Sequence, residues 1–466
     1  MKNKHSGFSG SLGFVLAAAG SAVGVGNIWR FPYLCAKDGG GLFLLVYLVL
    51  VLTFGFTLLT TDVAIGRRTK QNALNAFGTL HKKWRFLGYL TFLVPTLIMT
   101  YYSVIGGWIA KYFAVYLVSD GTQAAQDGFF TSFITSQVSP IVFMLLFLAL
   151  TAWVVYCGVE KGIEKYSRYI MPVLLLLVIG IAVFSLTLSH TDDSGVTRTG
   201  LQGLAFYLKP DFTGMTLRSF LNVVLDAMSQ LFFSLSVSMG IMITYGSYVK
   251  DDVDLNKANG QIEIFDTLFA FFAGLMIIPS VIAFNGGDPS QVNSGPSLMF
   301  ISLPMVFDSM KFGTVIGAVF FLLVLFAALT SSIALMETLA SVIMDKFKLK
   351  RIPATLIIIA VCLVVGMLSC LGYGPWESVT IIGMQFLDFF DFISNSVLMP
   401  IVAVLTCVLI GHVVGTKVVA DEVKSGAGSF HREKLHRVMI RWIAPVLLVA
   451  ILASELASKI FGVFSI

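Results

Sequence analysis

The chain has 466 residues and a formal net charge of +5; 57% of its residues are hydrophobic and only 12% are charged. Soluble domains carry roughly 25% charged residues, so this composition excludes a soluble protein and predicts an integral membrane protein. The sequence has no Gly-x4-Gly-Lys-Ser/Thr phosphate loop, no HExxH pattern and no CxxC pair. It therefore gives no support to an ATP-driven pump or a metalloenzyme, and we expect no organic cofactor and no nucleic-acid partner.

Eleven apolar segments approach or exceed the roughly 20 residues that a helix needs to cross a bilayer. They are 11–36, 41–67, 86–118, 140–157, 168–189, 218–248, 260–284, 313–344, 353–371, 384–411 and 438–460. Every second connecting loop is basic, whereas no Lys or Arg lies between Ser119 and Ser139. Basic loops stay in the cytoplasm, so we expect the N-terminus inside and the C-terminus outside.

The first segment is interrupted by glycines. Gly20, Gly24 and Gly26 lie in its middle, and each costs a helix roughly 1 kcal/mol relative to alanine. Where a helix unwinds in a bilayer, its freed N–H and C=O groups need partners from protein or bound ions. The Gly20–Gly24 spacing also fits a small-residue surface for helix packing. Spacing alone does not decide between a polar site and a packing face.

The sixth segment has a comparable interruption. Ser234, Ser236, Ser238 and Gly240 follow one another at alternate positions in mid-segment, although such serines often bond only to their own helix. The two interrupted segments are the first and the sixth, so each opens a block of five spans. An odd number of spans inverts the second block relative to the first. Paired interruptions of this kind indicate a transporter site between inverted repeats, a principle drawn from leucine-transporter-like proteins.

Polar residues inside other segments extend this pattern. Thr330, Ser331 and Ser332 interrupt the eighth segment and form either a packing face or a third wall of the same site. Asp266 has no Lys or Arg near it in sequence, and a bound cation is one natural partner for an intramembrane carboxylate. Arg30 and Asp391 lie towards the outer ends of their helices, where they either pair across an opening or are simply solvated.

Several motifs resemble those of the neurotransmitter:sodium symporter family, and of its prokaryotic amino-acid transporters in particular. The resemblance covers almost the whole chain and rests on motifs in the family's order. They are Asn27-Ile-Trp-Arg-Phe-Pro32, Gly39-Gly-Gly41, Tyr101-Tyr102, Gly158-Val-Glu-Lys-Gly162, Ile243-Thr-Tyr-Gly-Ser-Tyr248 and Leu329-Thr-Ser-Ser332. The resemblance implies a sodium-coupled symporter with two inverted five-helix repeats around one substrate and two Na⁺ ions.

The resemblance also implies two sodium sites built from oxygen ligands. The ligands of the first, with the substrate carboxylate, would be Ala22, Asn27, Ser234 and Asp266. Those of the second would be Gly20, Val23, Ala327, Thr330 and Ser331. Ala22, Gly20, Val23 and Ala327 would contribute backbone carbonyls.

The substrate site and gates implied by the resemblance use neighbouring positions. The substrate-binding residues would be Ser21, Ala22, Gly24, Val25, Gly26, Ile98, Tyr102, Phe233, Ser234, Ser236, Met239, Ser331 and Leu335. Phe233 would be a lid beneath an outer gate formed by Arg30 and Asp391, and Asp345 would belong to the inner gate.

Three positions refine the expected substrate and gating. Gly24 leaves no carboxylate where amine-transporting relatives have aspartate, which favours a substrate that carries its own carboxylate. Asp266 replaces an asparagine of many relatives, and Ala270 replaces the serine of chloride-dependent ones; we therefore expect chloride not to be required. His5 and Phe8 stand where the family has the arginine and tryptophan of the inner gate.

The sequence thus predicts an all-α membrane protein with one transmembrane domain over residues 1–466. Its repeats span about 11–190 and 218–411, followed by an extra helix at 438–460, and helices 1 and 6 are unwound at mid-membrane. The predicted function is sodium-coupled import of hydrophobic L-amino acids into a prokaryotic cell through the inner membrane, as a monomer or weak dimer. The alternatives are a symporter selective for small aliphatic amino acids and a sodium-dependent amino-acid sensor that does not transport.

Overall fold

The computed structural model describes residues 7–119, 121–191, 195–284, 288, 292–293 and 295–457. Long apolar helices dominate these residues. In chain order the helices are α1 (Ser11–Ala22), α2 (Val25–Lys37), α3 (Gly41–Thr69), α4 (Ala73–Leu80), α5 (Lys82–Val118), α6 (Thr122–Ala125), α7 (Phe129–Ile134), α8 (Ser139–Tyr156), α9 (Val159–Leu186), α10 (Gly200–Leu208), α11 (Leu217–Ser234), α12 (Ile241–Tyr248), α13 (Leu255–Phe284), α14 (Gly295–Asp308), α15 (Gly313–Phe347), α16 (Arg351–Leu371), α17 (Phe386–Val413), α18 (Lys417–Ala427) and α19 (Glu433–Leu456).

Nine helices in the described part of the chain are long and apolar enough to cross a membrane, and the bent pair α1–α2 brings the number to ten. The predicted sixth segment, 218–248, corresponds to α11 and α12, which six residues separate. One element departs from the all-α prediction. Strands β1 (Ser189–Thr191) and β2 (Thr197–Thr199) form a small antiparallel hairpin, where the polar end of segment 168–189 leaves the helix.

The first interruption lies between α1 and α2, whose axes differ by 53°. Val23 ends the helical hydrogen bonding, because its N–H donates to the Ala19 carbonyl at 2.7 Å and its ψ turns to 88°. Gly24 is extended, with φ −121° and ψ −173°. Any residue adopts that conformation, so the backbone angles do not require glycine here; a Cβ on Gly24 would lie in close contact with Ser331 Oγ, at 3.0 Å.

The second interruption, between α11 and α12, uses unfavourable backbone angles. Ser236, Ser238 and Gly240 have φ values of +52°, +62° and +80°, in the left-handed region that residues with a Cβ adopt at a cost. Asp62 of α3 stabilises this conformation, because its Oδ2 accepts a 2.8 Å hydrogen bond from the Ser238 N–H. A carboxylate from another helix thus replaces the carbonyl that a continuous helix would supply.

The remaining helices enclose both interruptions. α5 packs against α15 and α8, α12 packs against α3, and α13 packs against α1, α2, α9 and α10. The interrupted helices are therefore central, and the buried side chains of the core surround them. This arrangement brings α1, α5, α11, α13 and α15 to one place.

We predict that Asp62→Ala destabilises the protein by about 1–3 kcal/mol, the usual cost of leaving a buried donor unpaired. The lost partner is that of the Ser238 N–H. The measurement is the apparent melting temperature of the purified protein in detergent. Asp62→Asn keeps an acceptor oxygen and should cost less, and Asp252→Asn, at an exposed acid, is the matched control. Equal melting temperatures for Asp62→Ala and the control would contradict this role of Asp62.

Candidate functional site

A cavity of about 40 Å³ lies where the two interruptions meet. All residues that the sequence predicted as substrate-binding line this cavity, and Asn27 and Ile241 complete its wall. Asn27 was predicted as a sodium ligand, whereas Ile241 was not predicted at all. Ile241 is the first residue of α12, and the sequence gives no signal for its position because it follows the irregular segment.

The C-terminal end of α1 presents unpaired carbonyl groups beside this cavity. The last four carbonyls of a helix have no partner within it, and here they belong to residues 19–22. The Ala19 carbonyl accepts from Val23 N–H, and that of Ser21 accepts from the Ser236 and Ser331 hydroxyls at 3.0 and 3.1 Å. The carbonyls of Gly20 and Ala22 receive no hydrogen bond from the described residues.

Three buried polar side chains form a cluster next to Ala22. The Asn27 amide donates to Asp266 Oδ1 at 2.8 Å, and the Ser234 hydroxyl lies 2.6 Å from the same oxygen and 3.0 Å from Asn27 Oδ1. Asp266 is 0% exposed, and its Oδ2 forms no well-aligned hydrogen bond with the described residues, with the Tyr47 hydroxyl beside the carboxylate. A buried carboxylate oxygen without a donor is costly unless a cation or a proton is bound. The cluster therefore fits a cation ligand set.

A second group of oxygens lies on α15, opposite the end of α1. The Thr330 hydroxyl donates to the Ala327 carbonyl at 3.0 Å, and the Ser331 hydroxyl lies 3.3 Å from that carbonyl and 3.1 Å from the Ser21 carbonyl, which share its one proton. The lone pairs of both hydroxyls stay available. A Cβ on Gly20 would lie 3.4 Å from the Cβ of Thr330. The two helices are thus in contact, and the predicted ligands Gly20, Thr330 and Ser331 are neighbours across this contact.

The opposite end of the first interruption is the N-terminus of α2, which begins at Val25. The first N–H groups of a helix are unpaired and carry partial positive charge, so this end favours an anion. The Tyr102 hydroxyl lies beside Val25 and Ser331 and forms no well-aligned hydrogen bond with the described residues. N–H groups and a phenol hydroxyl therefore converge on the cavity.

Phe233 covers the cavity on the side of Arg30. A Cβ on Gly26 would lie 2.6 Å from Phe233 Cε1, so the ring packs directly on the backbone of α2. The Arg30 guanidinium lies 5.9 Å from the Phe233 ring centre. Phe233 thus separates the cavity from a charged region above it.

The predicted outer gate is not a direct ion pair in this conformation. Arg30 donates to the Ser229 hydroxyl at 2.7 Å and lies 3.9 Å from Glu455. Asp391 instead accepts from Asn395 at 2.6 Å. Arg30 and Asp391 are on the same side of Phe233, and a pairing between them stays a prediction for another conformation.

At the other end of the molecule, the predicted inner-gate residue Asp345 accepts a 2.6 Å hydrogen bond from the Asn72 amide. His5 lies outside the described residues. Phe8 is buried against the rings of Phe14, Tyr245 and Tyr248. An aromatic contact thus occupies the position where a tryptophan is expected from the family.

Comparisons with known proteins identify the family of this chain. The model of the family described as "Sodium:neurotransmitter symporter family" matches residues 5–123 and 132–461. The sodium-dependent transporter YhdH of Bacillus subtilis is 34% identical over 91% of both chains, and a sodium-dependent transporter of Haemophilus influenzae is 31% identical over 96% of this chain and 98% of that one.

This chain belongs to the sodium:neurotransmitter symporter family. Its structure is also similar to the crystal structure of MhsT in complex with L-phenylalanine, with a TM-score of 0.83 and 37% identity over 97% of this chain and 100% of that one. The symporter is therefore a multi-pass membrane transporter for which sodium is the coupling ion, and it is not an enzyme.

We predict that Gly26→Ala reduces sodium-dependent transport by about 5- to 150-fold. The added methyl group displaces Phe233 from a packed position, at an overpacking cost of about 1–3 kcal/mol. The measurement is uptake into proteoliposomes at equal amounts of reconstituted protein. Gly260→Ala is the matched control, since nothing lies within 4 Å of a Cβ at that position. Transport by Gly26→Ala at the rate of the control would mean that Phe233 can be displaced without effect.

Proposed function

We propose that this symporter imports hydrophobic L-amino acids, aliphatic to aromatic, together with two Na⁺ ions by alternating access. One observation carries the proposal: bare carbonyl oxygens, helix N–H groups and apolar side chains face the same cavity between two interrupted helices. A free amino acid has a carboxylate, an ammonium group and a side chain, and the cavity offers a complement to each.

We assign the first Na⁺ to the Ala22 carbonyl, Asn27, Ser234 and Asp266, with the substrate carboxylate as a further ligand. The unpaired Oδ2 of Asp266 and the unpaired carbonyl of Ala22 support this assignment. The chain supplies one negative charge and the substrate supplies another. That second charge makes the site depend on a substrate with a carboxylate.

We assign the second Na⁺ to the carbonyls of Gly20, Val23 and Ala327 and the hydroxyls of Thr330 and Ser331. The contact between α1 and α15 supports it, because it brings Gly20 next to Thr330, whose hydroxyl lies at the Ala327 carbonyl. All of these ligands are neutral oxygens, which suit a monovalent hard cation. The substrate contributes no ligand to this second site.

The substrate would lie between these groups and Phe233. Its carboxylate would accept from the N–H groups of Val25 and Gly26 and from Tyr102, and its ammonium group would face the carbonyls near Ala22 and Phe233 and the Ser236 hydroxyl. Its side chain would contact apolar residues of four helices and of the irregular segment between α11 and α12. They are Ile98, Phe233, Met239, Ile241 and Leu335.

Two features favour a broad range that includes aromatic side chains. Met239 has a flexible side chain that adapts to different shapes, and Ser21, Gly24 and Ser331 are small. MhsT, which is similar over 97% of this chain, has a solved complex with L-phenylalanine. Differences between apolar substrates amount to about 1–3 kcal/mol in such pockets, so small aliphatic amino acids are the competing class.

Coupling between sodium and substrate follows from the attraction between their opposite charges. Two opposite unit charges about 4 Å apart interact by about 4 kcal/mol at an effective dielectric constant of 20. Sodium and the substrate carboxylate therefore raise each other's affinity, and the effect is reciprocal. A membrane potential adds about 2.3 kcal/mol per charge per 100 mV and drives the loaded carrier inward.

We further propose eleven spans arranged as two inverted repeats, 11–190 and 218–411, plus the helix at 438–460, in one domain. The interruptions lie within the first and the sixth span, the first span of each proposed repeat. This matching position supports the two inverted repeats. Basic loops support a cytoplasmic N-terminus and an extracellular C-terminus in the inner membrane of a prokaryote. We propose a monomer or weak dimer as the functional unit.

The first experiment measures uptake of radiolabelled amino acids into proteoliposomes. We expect uptake of L-phenylalanine and L-leucine with an inward sodium gradient and little uptake when potassium replaces sodium. A competition panel with L-alanine tests the small-aliphatic alternative, which requires L-alanine to compete better than L-phenylalanine. Sodium-dependent binding without uptake would instead indicate the sensor.

The second experiment replaces chloride by gluconate on both sides of the membrane. We expect unchanged uptake, since the Asp266 carboxylate supplies the negative charge next to the first sodium site. Uptake that stops in gluconate would refute chloride independence without affecting the assignment as a symporter.

The third experiment tests Asp266→Asn. The change keeps the shape of the side chain and removes its charge, so we expect the sodium concentration for half-maximal uptake to rise at least about tenfold. Glu263→Gln is the matched control, because Glu263 is a buried acid on the same helix that pairs with Arg432 at 3.2 Å. An unchanged sodium dependence in Asp266→Asn would remove Asp266 from the ligand set.

A further inference from the structure

A group of charged and polar residues lies directly above Phe233, on the side away from the substrate cavity. Arg30 of α2, Ser229 of α11, Asn395 and Ser396 of α17 and Glu455 of α19 line one small cavity there. Four helices therefore meet at the outer side of the lid. One of them, α19, lies outside both of the proposed five-helix repeats.

Each carboxylate oxygen of Glu455 lies near a different partner. Its Oε2 accepts from the Ser396 hydroxyl at 3.1 Å, and its Oε1 lies 3.9 Å from Arg30 Nη2. Ser396 thus fixes the side chain in an orientation that faces Arg30. Among the described residues, Glu455 is the only acid whose carboxylate lies within 4 Å of the Arg30 guanidinium.

Glu455 is an isolated charge in an otherwise uncharged helical segment. Between Ala444 and Leu456, α19 has no other charged residue. A carboxylate in a membrane helix is costly, and such residues pair with a partner or face an aqueous cavity. Glu455 and Arg30 have side chains that are 26% and 31% exposed, so the pair lies at the border between the protein interior and the outer solution.

Asp391 forms no ion pair with Arg30 and has contacts of its own. Its Oδ1 accepts from the Asn395 amide, which is also 2.9 Å from the Tyr101 hydroxyl. With Phe233 packed on Gly26, Arg30 therefore has Ser229 and Glu455 as partners. Of the two acids near the Arg30 guanidinium, Glu455 and Asp391, only Glu455 lies within 4 Å of it in the described part of the chain.

We propose that Glu455 is a positioning residue of the outer gate: it holds Arg30 over Phe233 and thereby couples the last described helix to closure of the lid. Release of Arg30 from Glu455 frees Phe233 to leave Gly26, and the substrate cavity then opens to the outside. This proposal rests on the proposed function only for the identity of the substrate that enters the cavity.

The test measures how readily the cavity opens, without any substrate. Ile98→Cys, in the cavity wall beneath Phe233, is introduced into a full-length background whose native cysteines are replaced by alanine. The rate of its reaction with a membrane-impermeant methanethiosulfonate is measured in sodium without amino acid. We expect Glu455→Gln to raise this rate about two- to fivefold, the range that a partly exposed ion pair gives.

A mutant cycle separates this role from a purely structural one. In an Arg30→Gln background, Glu455→Gln should leave the reaction rate unchanged, since its partner is already absent. Glu455→Asp, which keeps the charge, should restore much of the slower rate. Ser396→Ala should raise the rate in the same direction as Glu455→Gln, because it frees the carboxylate from its fixed orientation. Glu377→Gln, at an exposed acid of the 372–385 loop, is the control and should have no effect.

Two results would overturn the proposal. One is an unchanged rate in Glu455→Gln, and the other is an increase by the same factor with and without Arg30. Parallel uptake assays distinguish this outcome from failure of the proposed function. A chain that shows the coupling between Glu455 and Arg30 but takes up no amino acid would retain the gate and lose the assigned substrate.

Discussion

The central constraint on this molecule is that peptide groups released from two helices must find partners inside an apolar protein. A continuous helix satisfies its own N–H and C=O groups, and an interruption in a membrane does not. Here the freed groups fall into two classes. Some are bound by the protein itself, as when Asp62 accepts from Ser238 and two serines donate to the Ser21 carbonyl. Others, at Gly20 and Ala22, receive no donor from the described residues.

This division explains how the fold makes a site without a conventional ligand cluster. Among the described residues, no three His, Cys, Asp or Glu side chains are grouped as metal ligands. The oxygens at the cavity belong to backbone, hydroxyl and amide groups, with Asp266 as the one carboxylate in the Asn27–Ser234 cluster. A neutral or singly charged oxygen set suits a monovalent ion, which must also be released during transport.

The same cavity links the site to the two ends of the molecule. Phe233 lies between the cavity and Arg30 on one side, and Phe8 packs against Tyr245 and Tyr248 of α12 on the other. Both α11 and α12 flank the second interruption, so this segment connects the residues at the two ends. The irregular segment thus lines the cavity and links α11 to α12, and Asp62 stabilises its conformation.

The sequence by itself determined the membrane class, the apolar segments and the two interruptions, because hydropathy and glycine or serine content act locally along the chain. Motifs resembling a known family also gave the residues that line the cavity. The tertiary structure alone decided the partners across helices: Asp62 with Ser238, Arg30 with Glu455, and Ile241 in the cavity wall. The first two contacts join residues that are more than one hundred positions apart in the sequence. The place of Ile241 depends on the left-handed backbone angles of the segment before it. No local pattern encodes them, since they depend on how the packed helices rotate and on where each irregular segment ends.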